Sequence, residues 1–358
     1  MRLNWLLIFI PIALGLEYWG VNPIAVFLAS AAAIVPLAKL MEQATESLAQ
    51  YLGPTYGGLL SATMGNAPEL IIGITALRHG LVEVLKGSIA GSVIGTLLFG
   101  VGVTIIAGGL SKPVQRFDRE MVAINSALLM VATFGLVVPA AFHFSARTDE
   151  DISIEISVVL LLVYLASLVH TMTTKKPTEG LAAVQVELKE RGELPAEEAT
   201  PAWSRSRALL VMAAVAVALA FVSDLLTGSI QPAADAVGLT PVFAGVFLLA
   251  MVGNIPQYMN SIAFARKDQM TLALSINLGA TTQLVTLVAP LLVIVGAFMG
   301  LDMNLHFSSF ELVGVILAVI IARSVTGDAS SNWLEGVLLV GVYLMLGFAF
   351  FHMPANTP

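Results

Sequence analysis

The stretch Gly65-Asn66-Ala67-Pro68-Glu69 lies inside an apolar run that is otherwise typical of a membrane-spanning helix. Gly65 and Pro68 weaken a helix, because glycine adds backbone freedom and proline removes a hydrogen-bond donor and clashes with the preceding turn. Asn66 and Glu69 are three residues apart and therefore share one helix face. A carboxylate at membrane depth is costly, so we expect Glu69 to face a cavity, a partner or an ion.

A second stretch, Gly253-Asn254-Ile255-Pro256-Gln257, repeats the pattern Gly-Asn-x-Pro-Glu/Gln inside another apolar run. We call the two stretches the first and the second motif. Interrupted helices at corresponding places in two halves of one chain are the best sequence pointer to the binding site of a secondary transporter. The repeat therefore predicts a transport site built from both motifs.

The composition sets the class of protein. Of 358 residues, 57% are hydrophobic and 11% are charged, whereas a soluble domain has about 25% charged residues. The chain is therefore predicted to be a polytopic membrane protein with lipid as a partner. It has no cysteine, which excludes disulfides, thiolate metal sites and cysteine nucleophiles. We expect no cofactor and, without a basic stripe, no nucleic-acid partner.

The apolar runs predict an all-α fold with eleven transmembrane helices: one leading helix and two inverted five-helix repeats. The boundaries are 1–22 for the leading helix, 23–173 for the first repeat, 174–204 for an acidic linker and 205–358 for the second repeat. Because five is odd, the second repeat enters the membrane in the opposite sense, as in other transporters with inverted repeats. The end of the second span, Lys39 to Leu52, is amphipathic and is expected to protrude or to lie at the interface.

The distribution of lysine and arginine predicts the orientation. With the N-terminus inside, fourteen of the basic residues fall in cytoplasmic segments and three, Arg78, Lys86 and Arg147, fall outside. This is a strong positive-inside signal. It predicts a multi-pass protein of the cell (inner) membrane with a cytoplasmic N-terminus. The linker, which holds six glutamates, is then cytoplasmic and is either a solvated tether or a cation sensor.

Oxygen-bearing side chains near the motifs suit a hard cation. Ca²⁺ takes six to eight oxygen ligands, some of them from carboxylates. The candidates for cation and proton binding are Glu69, Asn66, Asn254, Gln257, Gln283, Ser92 and Thr96. Direct metal ligands are expected from Glu69, Asn66, Asn254 and Gln257. Backbone breaks at Gly65, Pro68, Gly253 and Pro256 would free carbonyl oxygens as well. For the amides and hydroxyls, the alternative is hydrogen bonding or packing between helices.

Glu69 is the only acid in either motif. Burial in a membrane favours its protonated form and a bound cation favours the carboxylate, so a proton and a metal would compete for one group. Two carboxylates would balance a divalent ion and release two protons. Gln257 cannot carry a proton, so a weaker Ca²⁺ site, help from another acid, or a different cation all stay open.

Four stretches resemble the calcium/proton antiporter (CAX) family of the calcium:cation antiporter superfamily. They are Pro36 to Glu46 (PLAKLMEQATE), Gly57 to Ile72 (GGLLSATMGNAPELII), Gly253-Asn254 with Ala273-Leu274, and Ser331 to Gly336 (SNWLEG). The resemblance covers nearly the whole chain after the first span. It implies eleven transmembrane helices, two motif helices that cross at the bilayer centre, and an acidic helix between the halves. It also implies export of a divalent cation from the cytoplasm, driven by protons.

The chain also departs from the family pattern. The family motifs are Gly-Asn-Ala-Thr-Glu and Gly-Asn-Ala-Ala-Glu-His, where this chain has Pro68 in the first and Ile255-Pro256-Gln257-Tyr258 in the second. Thr96 replaces a family asparagine, whereas Gln283 fits the pattern. These departures affect the ion and the coupling ratio, and leave the fold unchanged.

Three other functions remain as alternatives. The first is exchange of another cation, such as Na⁺, K⁺ or Mn²⁺, because of Gln257. The second is a cation channel, which would need a similar polar midplane. The third and weakest is an intramembrane enzyme, because the chain has no His-Glu-x-x-His motif and no paired aspartates on neighbouring spans. Homo-oligomer formation is left open.

Overall fold

The computed structural model describes residues 3–110, 112–142, 149–174 and 203–353. Within these ranges, nine helices are long and apolar enough to cross a membrane, and the leading apolar helix, Trp5–Tyr18, is shorter. The chain is a helical multi-pass membrane protein. The segment around the first motif is divided into short pieces and is not among the nine, so the count of eleven stays a prediction. The linker expected at 174–204 lies almost wholly outside the described residues.

The first half of the chain consists of helices, one of which continues through a π-helical segment. Their bounds are Leu3–Ile8 (3₁₀), Phe9–Tyr18, Pro23–Met64, Ala67–Arg78, Val82–Ile94, Gly95–Gly100 (π), Val101–Gly109, Arg119–Phe142 and Asp149–Thr174. The helix Pro23–Met64 is kinked at Gly53, whose φ of 78° is in the region that favours glycine.

The second half has the same kind of elements. Its helices are Arg205–Ala236, Pro241–Phe243, Ala244–Leu249 (π), Ala250–Arg266, Met270–Gln283, Leu284–Val288 (π), Ala289–Met299, Ser309–Thr326 and Trp333–Phe351. A short antiparallel pair of strands, Gln115–Arg116 and Ser330–Ser331, joins the loops of the two halves, with Gln115 opposite Ser331.

Elements of the two halves correspond at a constant spacing of 188 residues, the distance from Asn66 to Asn254. The helix Val82–Ile94 corresponds to Met270–Gln283; we call these the first and second glycine-rich helices. Each continues into a π-helical segment, Gly95–Gly100 or Leu284–Val288, at matching positions. Such π segments are rare in proteins, and those that occur often lie at functional sites. Nothing in the sequence patterns predicted them.

The two motifs differ in backbone structure. The first motif is interrupted as predicted: one helix ends at Met64, the next begins at Ala67, and Asn66 has φ −103° and ψ 16°. The break predicted at Gly253 and Pro256 is wrong, because the helix Ala250–Arg266 runs through both residues. The irregularity lies earlier, in the π segment Ala244–Leu249. Pro256 still removes one donor, which leaves the carbonyl of the residue four positions before it without its helical partner.

The end of the second span, Lys39 to Leu52, continues one long helix, and its depth relative to the membrane surface stays a prediction. Pro23–Gly53 is a single long apolar span, and Met41, Ala44 and Leu48 on its C-terminal part are buried. The span packs against Arg205–Ala236 of the second half. Burial of this apolar face holds the two halves together.

The glycine-rich helices form the centre of the molecule. Ile89, Val93 and Leu97 in the first half share a core with Ala273 and Leu278 in the second. The first glycine-rich helix also packs directly on Ala244–Leu249. The sites at which the two halves interlock are therefore next to both motifs.

Candidate cation-binding site

Each motif asparagine bonds to the opposite half of the chain. Asn66 Nδ2 donates to Gln283 Oε1 at 2.7 Å, on the second glycine-rich helix. Asn254 Nδ2 donates to Ser92 Oγ at 3.0 Å, on the first, and to the carbonyl of Ala250 at 2.8 Å. Both asparagines are buried. In each case the amide nitrogen is used within the protein, so the carbonyl oxygen is the group that remains for a cation.

Glu69 lies where the two motifs meet. Its Cγ is 3.8 Å from the position a Cβ would take on Gly253, which is an ordinary van der Waals distance, so the glutamate packs directly beside the second motif. The Oε2 atom is buried and has no hydrogen-bond partner among the described residues. Glu69 also falls in the first turn of the helix Ala67–Arg78, where the helix dipole favours negative charge. A buried oxygen without a donor suits a proton or a cation.

A larger cavity of about 110 Å³ lies beside the two motifs. The part of the first motif that ends at Pro68 and the part of the second that begins at Pro256 line it. It is lined by Gly65, Asn66, Pro68, Pro256, Gln257, Gly279, Ala280 and Gln283, and by Glu42 and Glu46 of the second span. This volume holds several waters. It brings three of the predicted site residues, Asn66, Gln257 and Gln283, and three of the predicted backbone positions together.

A smaller cavity of about 20 Å³ is lined by Glu69 and the residues that follow it, Ile72 and Gly73. On the other side it is lined by Gly253 and the residues that precede it, Leu249 and Ala250. Ser92 and Ser88 of the first glycine-rich helix complete its polar lining. A space of this size holds about one water. The two cavities therefore approach the site from opposite sides of the motifs, and Glu69 lies on the side of the smaller one.

Two predicted residues have other roles in this structure. Gln283 lines the larger cavity and accepts from Asn66 through its carbonyl oxygen, so in this structure it orients the asparagine. Thr96 lines neither of these cavities and hydrogen-bonds the Tyr258 side chain. Thr96 and Tyr258 are both positions at which the chain departs from the CAX pattern, so the two departures are in contact.

The side-chain nitrogen of Gln257 donates its hydrogen bond to a residue that does not line the cavity. Gln257 Nε2 donates to Asn277 Oδ1 at 3.3 Å, and Asn277 is fully buried. The sequence patterns did not single out Asn277. An asparagine in the middle of an apolar helix was the available signal, because such residues need partners.

Glu42 and Glu46 are the acids that sequence reasoning missed. Both line the larger cavity, and Glu42 accepts a short hydrogen bond from Asn260 on the second motif helix. The signal was their spacing: they are four residues apart, on one face of a span-length apolar run. Among the described residues, no cluster of three or more His, Cys, Asp or Glu could hold a metal. A cation at the motifs would therefore depend on neutral oxygens as well as on Glu69.

Comparison with known proteins agrees with this arrangement. A sequence profile described as "Sodium/calcium exchanger protein" matches residues 22–173 and 207–351. The Ca(2+)/H(+) antiporter of Synechocystis sp. is 38% identical over 362 residues, which cover 98% of this chain and 96% of the relative. The Ca(2+)/H(+) antiporter ChaA of Bacillus subtilis is 36% identical over 322 residues, 89% of each protein.

The fold is similar as well. The solved structure of native YfkE superposes with a TM-score of 0.83 at 30% identity, and the match covers 99% of this chain and 100% of that one. The family profile spans both halves, and the site is built between those halves from the two motifs. The chain belongs to the sodium/calcium exchanger protein family.

Proposed function

We propose that the protein exchanges Ca²⁺ for protons across a membrane at the site between the two motifs. The observation that carries this proposal is Glu69, a carboxylate with a buried oxygen that lacks a partner in the described structure, which lines the smaller cavity beside the second motif. Relatives named Ca(2+)/H(+) antiporter match over nearly the whole chain and support this choice of ions.

The chemistry of the site is a competition for Glu69. In one state the carboxyl holds a proton; in the other the carboxylate binds the cation, and the proton leaves. The carbonyl oxygens of Asn66, Asn254 and Gln257 supply neutral ligands, because their nitrogens are already used in protein hydrogen bonds. Water completes the six to eight oxygens that Ca²⁺ requires.

Unequal packing at equivalent glycines supports alternating access. A Cβ at Gly91 would lie 2.1 Å from the carbonyl oxygen of Val246, so the first glycine-rich helix is in closest contact with Ala244–Leu249. At the equivalent Gly279, 188 residues later, a Cβ would meet nothing within 4 Å, and this residue lines the larger cavity. The packing is therefore tight on one side of the site and loose on the other. Exchange of these two arrangements would move the opening across the membrane.

The proton gradient sets the direction of transport, and the orientation that we propose sets which cavity faces the cytoplasm. The larger cavity lies toward Arg266 and Lys267, in the segments that the positive-inside rule assigns to the cytoplasm. With the N-terminus cytoplasmic, the larger cavity faces the cytoplasm, and Glu42 and Glu46, which line it, would lie on the path of the cation. We place the protein in the cell (inner) membrane, with repeats 23–173 and 205–358 and linker 174–204, and propose that it exports Ca²⁺.

One observation favours a second candidate, exchange of a monovalent cation. The second motif offers Gln257, an amide already bonded to Asn277, where a second carboxylate would balance a divalent ion. A divalent ion with one carboxylate leaves about one net positive charge at low dielectric, whereas a monovalent ion leaves none.

The test is transport by purified protein in liposomes with an imposed pH gradient, screened over Ca²⁺, Mn²⁺, Mg²⁺, Na⁺ and K⁺. We expect Glu69→Gln to abolish proton-coupled flux, because glutamine preserves the shape and cannot exchange a proton. The matched control is Glu311→Gln, a buried acid in another span whose carboxylate accepts from the Ser308 backbone N–H. Normal exchange by folded Glu69→Gln protein would overturn the assignment.

A further inference from the structure

A chain of buried polar side chains leads from Gln257 into an otherwise apolar core. Gln257 Nε2 donates to Asn277 Oδ1 at 3.3 Å, and Asn277 Nδ2 donates to Thr104 Oγ1 at 3.2 Å. Thr104 Oγ1 lies 2.9 Å from Ser261 Oγ and 2.6 Å from the Gly100 carbonyl. Asn277, Thr104 and Ser261 are fully buried. Polar groups at this depth remain in a protein only when they are hydrogen-bonded.

The backbone fixes the orientation of Asn277. Its Nδ2 also donates to the carbonyl of Ala273 at 3.3 Å, and a carbonyl only accepts. A reversed amide would set its oxygen against that carbonyl, leaving both acceptors without a donor. Asn277 Oδ1 is therefore held toward Gln257.

The orientation of Gln257 follows from that of Asn277. Because Asn277 Oδ1 only accepts, Gln257 must present its nitrogen to it. Its own oxygen, Oε1, is then the atom left for the larger cavity, which Gln257 lines. The reverse orientation would point two N–H groups at the cavity, and these repel a cation.

The other half of the molecule has no such chain. The residues 188 positions away from Asn277, Ser261 and Thr104 are Ile89, Gly73 and Leu292. These three line the smaller cavity beside Glu69, and a Cβ on Gly73 would be 2.7 Å from the Leu292 side chain. The polar chain is therefore present beside the amide and absent beside the acid, so it is not a general feature of the repeat.

We propose that Asn277 is a positioning residue that holds Gln257 as a neutral oxygen ligand and thereby sets the cation preference of a site with one carboxylate. This inference rests on the proposed function, since it assumes a cation between the motifs. Asn277 acts through Gln257 and does not itself line either cavity.

A double-mutant cycle with Gln257→Ala, Asn277→Ala and the double variant tests this role. Binding of Ca²⁺ and of Na⁺ is measured first by equilibrium dialysis, and transport is measured afterwards. We expect Asn277→Ala to raise the half-saturating cation concentration about threefold to tenfold, the effect of one ordinary hydrogen bond, with the maximal rate preserved. In the Gln257→Ala background the same change should have no further effect, because coupled residues are not additive. Asn277→Leu, which keeps the branched shape and the number of side-chain heavy atoms, serves if the alanine variant does not fold.

The matched control is Asn125→Ala. Asn125 is also fully buried, and its Nδ2 donates to the carbonyl four residues earlier, that of Met121, at 3.0 Å; it lines neither cavity. We expect its half-saturating concentration to match the wild type. The positioning role would be overturned if Asn277→Ala raised the half-saturating cation concentration equally with and without Gln257, or did not raise it at all. Absence of Glu69-dependent cation binding in the wild type would instead overturn the proposed function.

Discussion

Alanine substitution at Gly91 and Gly279 should shift the protein between its two access states in opposite directions. At Gly91 the new methyl would lie 2.1 Å from the oxygen of Val246 and 2.5 Å from its Cα. Ordinary contact begins at 3.4 Å. The first glycine-rich helix must therefore move about 1 Å from its neighbour, and backbone atoms cannot rotate away as a side chain does. At Gly279 the methyl meets nothing in the observed state.

The expected magnitude follows from the cost of overpacking, about 1 to 3 kcal/mol, which corresponds to about a 5- to 150-fold shift in a two-state ratio. Gly91→Ala disfavours the observed state by this amount. By the symmetry of the repeat, Gly279→Ala disfavours the alternate state, in which Gly279 would pack on the residues around Gly58. The gain in helix propensity from glycine to alanine is common to both states and cancels.

The assay is thiol labelling at another equivalent pair, Ile276→Cys in the larger cavity and Ser88→Cys in the smaller one. The chain has no cysteine of its own, so background labelling is absent. Gly91→Ala should slow the reaction of the cysteine at 276 with a membrane-impermeant reagent and speed that at 88. Gly279→Ala should do the reverse. Gly341→Ala, a helical glycine with no neighbour within 4 Å of its added methyl, is the control and should change neither rate. Shifts of the two variants in the same direction would refute the access mechanism.

Three further predictions concern charge. Gln257→Glu should raise Ca²⁺/H⁺ exchange at the expense of any monovalent activity. The measurement is Ca²⁺ uptake into acid-loaded liposomes at clamped membrane potentials. Tight electroneutral exchange of two protons per Ca²⁺ by the wild type would contradict this reasoning, because it would show that a second proton carrier exists. The double variant Glu42→Gln/Glu46→Gln should weaken the apparent Ca²⁺ affinity, because the two acids line the cavity through which we propose that the cation reaches the motifs; an unchanged half-saturating concentration in uptake assays would contradict this. Deletion of residues 179–200 should change the cation dependence of transport without ending it if the linker glutamates sense cation, and an unchanged dependence would make the segment a tether.

The sequence by itself determined the class of protein, the family and the positions of the two motifs. These follow from local properties: a membrane span needs a long apolar run, and a glutamate or asparagine inside one is too costly to be accidental. Glu69, Asn66 and Asn254 were therefore identifiable as candidate site residues without a structure. The break at Gly65 was also predictable, because glycine and proline act together there at a helix start.

Only the tertiary structure decided which groups line the candidate site. Pro256 did not break its helix, because packing of the second motif helix against its neighbours outweighs the loss of one backbone bond. Glu42 and Glu46 line the larger cavity because the second span packs against the second half of the chain. The orientation of Gln257 depends on Asn277, twenty residues away on another helix. The direction of a side-chain amide is set by the donors and acceptors that meet it across helices, and a sequence read along one chain does not contain those contacts.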